Sequence, residues 1–286
     1  MKIGLLYSRI RKDEKLLLAE LRDRGHEVTK IDVRKETFDL TDAPATFENL
    51  DLVVDRCLAT SRSLYATQFC EAYGIPVVNS HETADICADK VKTSLTLAGA
   101  GIPTPATKVA FTTKSAMEAI ESFGYPCVLK PVVGSWGRLM AKIDSKSAAE
   151  AILEHKATLG HYEHKVFYVQ EFVDKPGRDI RVLALDGEPV AAMARHDDHW
   201  LTNAAKGAET TTFELDSEAE SLVEQASDAV GGGLLGVDLM ETDSGYTVHE
   251  VNHTVEFKAL NEAVDLDVPA SVVDWLESTV GMEVMA

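Results

Sequence analysis

The stretch from Gly236 to Lys258 restricts this chain more than any other. Apolar and polar residues alternate on both sides of Asp243-Ser244-Gly245, which predicts a β-hairpin with a short glycine-containing loop. Centred on Ser244, the pairing sets Asp238 opposite Glu250, and Asn252 shares the strand face of Glu250. Two carboxylates and a carboxamide then meet at one end of one sheet face. Hard oxygen donors in low number suit Mg²⁺, which keeps waters and shares its shell with phosphates. A solvated hairpin with acidic decoration is the competing reading of this stretch alone.

The charge balance narrows the partners. There are 47 acidic and 28 basic residues, a net charge of -19, spread along the chain rather than gathered in a tail. Nucleic-acid binding needs a basic footprint and is excluded as an expectation. An acidic surface of this kind suits high salt, a halophilic setting in which self-repulsion is screened; an ordinary acidic protein is the alternative. No run of eighteen apolar residues exists, so no membrane span is predicted. Met1 to Tyr7 reads as a first strand and is charged too early for a signal peptide. Cys57, Cys70, Cys87 and Cys127 form no CxxC pair and read as buried free thiols in a reducing cytoplasm.

With 286 residues, the chain is long enough for one large domain or two to three small ones with real cores. Strands at Lys2–Tyr7, Val28–Val33, Leu52–Arg56 and Ile75–Asn79 alternate with helices at Ser8–Arg24 and Ser61–Tyr73. That alternation predicts an α/β, doubly wound parallel unit whose ligands sit beyond the carboxyl ends of the strands. Arg56 lies at such an end, where it could hold a carboxylate or form a structural salt bridge. One helix is predicted from Glu82 to Ala98, and Ile102-Pro103-Thr104-Pro105 reads as a linker.

Beyond it the chain turns to mixed α+β. A strand, Tyr125–Lys130, ends in a lysine and leads into Pro131-Val132-Val133-Gly134-Ser135-Trp136-Gly137-Arg138, then a strand at Leu139–Ile143. Backbone N–H groups of a loop with glycines at Gly134 and Gly137 could close over a phosphate, although a plain hairpin turn has the same spacing. Helices follow at Ser147–Leu159 and Ser217–Val230, strands at Phe167–Val173, Asp179–Leu185 and Val190–Arg195, and a last helix at Pro269–Glu277. His196-Asp197-Asp198-His199 reads as a solvated loop, since a loop gives two histidines no defined metal geometry. Gly231 to Gly236 matches GxGxxG but follows a helix and opens a strand, the wrong context for a dinucleotide fingerprint.

Lys130 to Arg138, Asp179-Ile180-Arg181, His199-Trp200-Leu201-Thr202-Asn203 and Glu250-Val251-Asn252-His253-Thr254-Val255-Glu256-Phe257-Lys258 occur in an order that resembles the ATP-grasp superfamily. Within it the chain is similar to the ribosomal-protein-modifying glutamate ligase group. Most narrowly it resembles the ligases that attach 2-aminoadipate or glutamate to the small amino-group carrier protein of lysine and arginine biosynthesis. The likeness spans essentially the whole chain.

It implies an ATP-grasp fold: an N-terminal doubly wound domain over 1–85, a central lobe with the glycine loop over 86–168, and a C-terminal lobe with the metal site over 169–286. It implies that Lys90 and Lys130 contact ATP, that Gly134, Ser135, Trp136 and Gly137 close over its phosphates, and that Glu171, Phe172 and Val173 meet the adenine. Asp179 would lie near the nucleotide. Arg195 and Asn203 would face the transferred phosphate and the acyl intermediate, with Lys130 beside them. Asp238, Glu250 and Asn252 would bind two Mg²⁺ ions. Lys206 stands where the family pattern has arginine, which keeps the charge but loses the planar fork.

The implied partners are a small acidic carrier protein and glutamate or 2-aminoadipate, in a cytoplasmic homodimer or homotetramer. The two amino acids differ by one methylene, worth only about 1–3 kcal/mol in a pocket; the acidic composition leans toward glutamate through its association with salt-loving organisms. Arg9, Arg11, Arg56 and Arg62 are candidates for a basic patch toward the carrier. The competing functions are a glutamate ligase acting on a ribosomal protein S6 tail or a coenzyme, and a catalytically silent ATP-binding regulator.

Overall fold

Ile3, Leu5 and Leu6 are fully buried in strand β1 (Lys2–Tyr7), the pattern of a parallel strand covered on both faces. The computed structural model describes residues 1–134, 139–159, 165–197, 199–202 and 209–283. Strand β1 pairs in parallel with β2 (Glu27–Asp32) and β3 (Leu52–Asp55), and β3 with β4 (Val77–Val78), giving the order β2-β1-β3-β4. Helix α1 (Lys12–Asp23) buries Leu17, Leu18 and Leu21 with Ile3 and Leu5 on one face. Helix α2 (Thr60–Ala72) sets Ala66 and Cys70 against Leu6 and Val53 on the other. The unit is doubly wound, as its sequence predicts.

Helix α1 begins at Lys12 rather than Ser8, because the Glu14 carboxylate accepts the Arg11 N–H at 2.6 Å and fixes the helix start there. The helix expected over 82–98 is two: α3 (His81–Ala88) and α4 (Lys90–Gly99). Between them Asp89 is extended, and its Oδ1 accepts from the N–H groups of Val91 and Lys92 at 2.8 and 3.2 Å. A short acidic side chain competes for backbone donors in this way and restarts the helix. The break makes Lys90 the first residue of α4.

A second sheet, order β5-β8-β6-β7, contains β5 (Thr107–Ala110), β6 (Cys127–Lys130), β7 (Ala141–Ile143) and β8 (Phe167–Glu171), with all pairs antiparallel. Its core, with α5 (Thr113–Phe123) and α6 (Lys146–Leu159), is its own. Strand β8 crosses residue 168, the position at which the sequence reading divides the two lobes.

The third sheet, order β11-β10-β9-β12-β13, is antiparallel: β9 (Arg178–Leu185), β10 (Glu188–His196), β11 (Glu209–Thr212), β12 (Leu234–Thr242) and β13 (Gly245–Asn252). One face packs on α7 (Ser217–Val230) and on Leu97 of α4. The other shares a core with β1, α1, α8 (Lys258–Ala263) and α9 (Val268–Glu283), so the first domain and the third sheet form one packed body. No helix is long and apolar enough to cross a membrane among the described residues.

Asn79, just past β4, fastens this joint. Its Nδ2 donates to the carbonyls of Leu234 and His253 at 2.9 and 2.7 Å, and its Oδ1 accepts from the Leu234 N–H at 2.6 Å. The bonds need a glycine beside them. Gly233 has φ +105°, and a Cβ there would lie 2.2 Å from Asn79 Oδ1. Gly233→Ala is expected to cost roughly 2–3 kcal/mol through backbone strain and loss of these bonds, read as a lower urea midpoint.

Candidate active site

The third sheet builds the site by register. Arg195 of β10 pairs with Asp179 of β9; two residues on, Arg181 pairs with Asp238 of β12, which in turn pairs with Glu250 of β13. Alternation puts Asp179 and Arg181 on one face, and Glu250 and Asn252 on one face. A row of opposite charges therefore crosses four strands. Arg181 Nη2 lies 2.8 Å from Asp238 Oδ2, Arg195 Nη2 lies 3.1 Å from Asp238 Oδ1, and Arg195 Nε lies 2.5 Å from Asp179 Oδ1. Asn252 Nδ2 is 3.4 Å from Asp238 Oδ2.

The Asp238–Glu250 pairing has a cause that the sequence hides. The loop is two residues, with Thr242 opposite Gly245, and by itself would set Asp238 opposite His249. A bulge at His249 shifts the register by one and returns Glu250 to Asp238. It also puts His249 into the cleft, with Nε2 3.3 Å from Lys130 Nζ.

The cleft, about 360 Å³, lies where the three sheets face one another. Lys90, Lys130, Gly134, Glu171, Phe172, Val173, Asp179, Arg195, Asp238, Glu250 and Asn252 all line it. Ser135, Trp136, Gly137 and Asn203, also expected at the site, lie outside the described residues. Lys90 Nζ donates to Glu250 Oε1 at 2.7 Å and to the Gly134 carbonyl at 2.9 Å, which joins the start of α4 to both the hairpin and the glycine loop.

Electrostatics sort the groups. Burial pushes Lys130 down to about 7, with Lys90 and Lys175 lowering it further and Glu250 acting against them. Burial and then Lys130 hold His249 well below the usual imidazole range. Burial also opposes the charge on Asp238, but Arg181 and Arg195 outweigh it and keep the carboxyl at about 2. Arg195 is raised: Asp238 and Asp179 more than offset its burial. Two carboxylates and an amide oxygen share this wall, and among the described residues no three His, Cys, Asp or Glu side chains cluster as a metal cage. An oxygen set this small suits a cation whose remaining ligands are phosphate and water.

The far end is apolar. Phe172 and Trp200 have ring centroids 6.5 Å apart, Val128, Met140 and Met240 complete the slot, and Lys142 Nζ sits 4.4 Å over the Phe172 ring. Glu171 turns its carboxylate away to accept the Ala106 N–H at 2.7 Å, and its own N–H donates to the Ala106 carbonyl at 2.9 Å.

The chain matches the family description "RimK-like ATP-grasp domain" over residues 87–276 and "LysX preATP-grasp domain" over residues 3–86. This chain belongs to the RimK-like ATP-grasp family. Among relatives of this ATP-grasp chain, the α-aminoadipate–LysW ligase LysX of Saccharolobus solfataricus is 38% identical over 87% of this chain and 90% of its own length. The glutamate–LysW ligase ArgX of Sulfurisphaera tokodaii is 30% identical over 97% and 98%. A crystal structure of a RimK-domain ATP-grasp protein from Sphaerobacter thermophilus superposes with TM-score 0.82 at 28% identity, covering 96% of this chain and 99% of that one. The ATP-grasp fold expected from sequence is the observed one, and the protein is a ligase of a class that uses ATP.

Several cleft residues escape sequence reading. Lys175, buried beside Asp179 at 3.3 Å and bonded to Thr202, sits in an Asp-Lys-Pro-Gly segment that reads only as a turn. Arg181 belongs to a quoted motif without an assigned role, and His249 depends on the bulge. Arg56 forms the structural pair: it is fully buried, with Nε 3.3 Å from Glu14 and its guanidinium 5.5 Å from the Phe257 ring centroid. It cannot join a surface patch. Arg11 is committed to Glu14 and Glu256, which leaves exposed Arg9 and Arg62 of the four. Cys57, Cys70 and Cys127 are buried free thiols and Cys87 is half-buried; burial pushes Cys70 and Cys87 to about 12 and Cys127 to about 11.

Proposed function

We propose that this ligase joins the α-amino group of glutamate or 2-aminoadipate to the C-terminal glutamate of a small acidic carrier protein of the LysW kind, through an acyl phosphate. The carrying observation is the four-strand charge row beside two lysines in one cleft, in a chain whose relatives bear those names. A carboxylate oxygen of the carrier attacks the γ-phosphorus of ATP and ADP leaves. The amino-acid nitrogen then attacks the acyl carbon, phosphate leaves, and the amine's proton passes to solvent or phosphate.

The base occupies the Phe172–Trp200 slot, and the phosphates lie along Lys90, Lys130 and the loop from Gly134 to Gly137. Arg195, and Asn203 with it, face the transferring phosphoryl group, where fixed positive charge stabilises the developing oxygens. Asp179 orients Arg195. Asp238, Glu250 and Asn252 hold Mg²⁺, which supplies charge neutralisation on the phosphates when bound. Exclusion of water protects the acyl phosphate from hydrolysis. The central lobe spans 86–171 and the metal-bearing lobe the remainder; exposed Arg9 and Arg62 face an acidic partner.

The test is carrier mass after incubation with ATP, Mg²⁺ and one amino acid at a time in high salt. The expected result is a gain of one residue with glutamate, with 2-aminoadipate, or with both. No gain with either, while ATP binds, would move the acceptor to a ribosomal protein tail or a coenzyme.

A further inference from the structure

Besides the apolar slot, the phosphate cations and the charge row, the cleft has one further end, to which we assign the reacting carboxyl and amine. That end is walled by Arg11, Asp13 and Thr60 of the first domain and by His253, Thr254 and Lys258 beyond the hairpin. The segment His253–Lys258 has little structure of its own, since β13 stops at Asn252 and α8 starts at Lys258. What fixes it comes from far away in the chain. Asp13 Oδ1 accepts from the N–H groups of both Phe257 and Lys258, each at 2.8 Å. Asn79 Nδ2 donates to the His253 carbonyl at 2.7 Å. Arg11 pairs with Glu256, and Arg56 covers the Phe257 ring.

Asp13 is only 5% exposed and Asn79 4%, so their bonds face little competition from water. Thr254 Oγ1, between the two grips, is buried and has no hydrogen-bond partner among the described residues, although its side chain lines the cleft. A satisfied core does not leave such a hydroxyl idle without reason.

We propose that Asp13 and Asn79 are positioning residues for amino-acid binding: the first domain grips both ends of His253–Lys258 and so holds the wall of the amino-acid subsite. The role rests on the carrier-ligase reading, and neither residue touches the nucleotide region. A wall displaced by about 1 Å changes reactant placement by an amount worth up to ~10²-fold. ATP, held by other sheets, is unaffected.

The experiment compares wild type with Asp13→Ala, Asp13→Asn and Asn79→Ala in the loading reaction, with KM for the amino acid and for ATP measured separately. Amide hydrogen exchange at Phe257 and Lys258 is followed in the same proteins. Asp13→Ala is expected to raise the amino-acid KM about tenfold or more, leave the ATP KM within about twofold, and speed exchange at the two amides. Asparagine keeps the accepting oxygen, so Asp13→Asn should stay within about threefold of wild type. Equal losses toward ATP and amino acid, an unmoved amino-acid KM, or an asparagine variant as impaired as alanine would each overturn the role. Should Asp13→Ala not fold, Asn79→Ala carries the same KM comparison. A wild-type chain that loads no amino acid overturns the parent reading, and this role with it; a wild type that loads while the variants lack the split overturns the role alone.

Discussion

Arg195→Ala is expected to lower the rate of ligation about 10³-fold while weakening ATP binding less than tenfold. The guanidinium is buried, raised above its ordinary range, and held by two carboxylates on different strands. Nε goes to Asp179 and Nη2 to Asp238; among the described residues Nη1 makes no hydrogen bond. A fixed cation that needs no reorganisation acts most strongly where charge develops in the transition state. Removing such a donor or arginine costs roughly 10²- to 10⁵-fold. The fold should survive. Asp238 keeps Arg181 and Asn252, and Asp179 keeps Lys175 and Thr202, so neither carboxylate is stranded. Arg195→Lys retains charge but cannot span both carboxylates, so it should recover only part of the rate. Single-turnover ADP release against nucleotide affinity measures the split; a rate within tenfold of wild type would remove Arg195 from the chemistry.

The parts legible in sequence are those fixed by period and register. Alternation on either side of Asp243-Ser244 locates the hairpin, and the same period aligns Asp179 with Arg181. The acidic amphipathic helix α7 is found to the residue. What stays hidden mostly has a local physical cause. Strand β11 is Glu-Thr-Thr-Thr, a mostly exposed edge strand without an apolar residue, so it carries no strong pattern; α5 goes unpredicted although Ala116, Ala119 and Ile120 form a buried helical stripe. The helix break at Asp89 depends on one carboxylate choosing backbone donors over solvent. The bulge that brings His249 inward leaves no mark in a sequence whose alternation looks regular. The joint made by Asp13 and Asn79 links positions 245 and 174 residues apart, beyond any local signal.

Lys130 offers the second large effect, and it is a pH effect. Burial, aided by Lys90 and Lys175, lowers it from its ordinary 10.5 to about 7. Between those values the unfolded chain binds a proton on this amine that the folded chain does not, so Lys130 contributes a stability that rises with pH across the window, against the opposite slope of the buried thiols, and Lys130→Met should remove that contribution alone. Phosphate oxygens against the amine reverse the preference. At pH 8 nucleotide binding is therefore expected to take up close to one proton, seen as binding enthalpies that shift with the ionisation enthalpy of the buffer. His249, held well below 6.5, is neutral there and contributes none. Lys130→Met should abolish the uptake and weaken ATP binding about 10- to 100-fold, the worth of one charge-assisted contact to phosphate. Uptake that persists in the methionine variant would mean that another group receives the proton, and would leave Lys130 outside the phosphate site. Uptake lost together with affinity ties the buried amine to the phosphates: the burial that destabilises its charge in the free protein is what makes its protonation depend on the ligand.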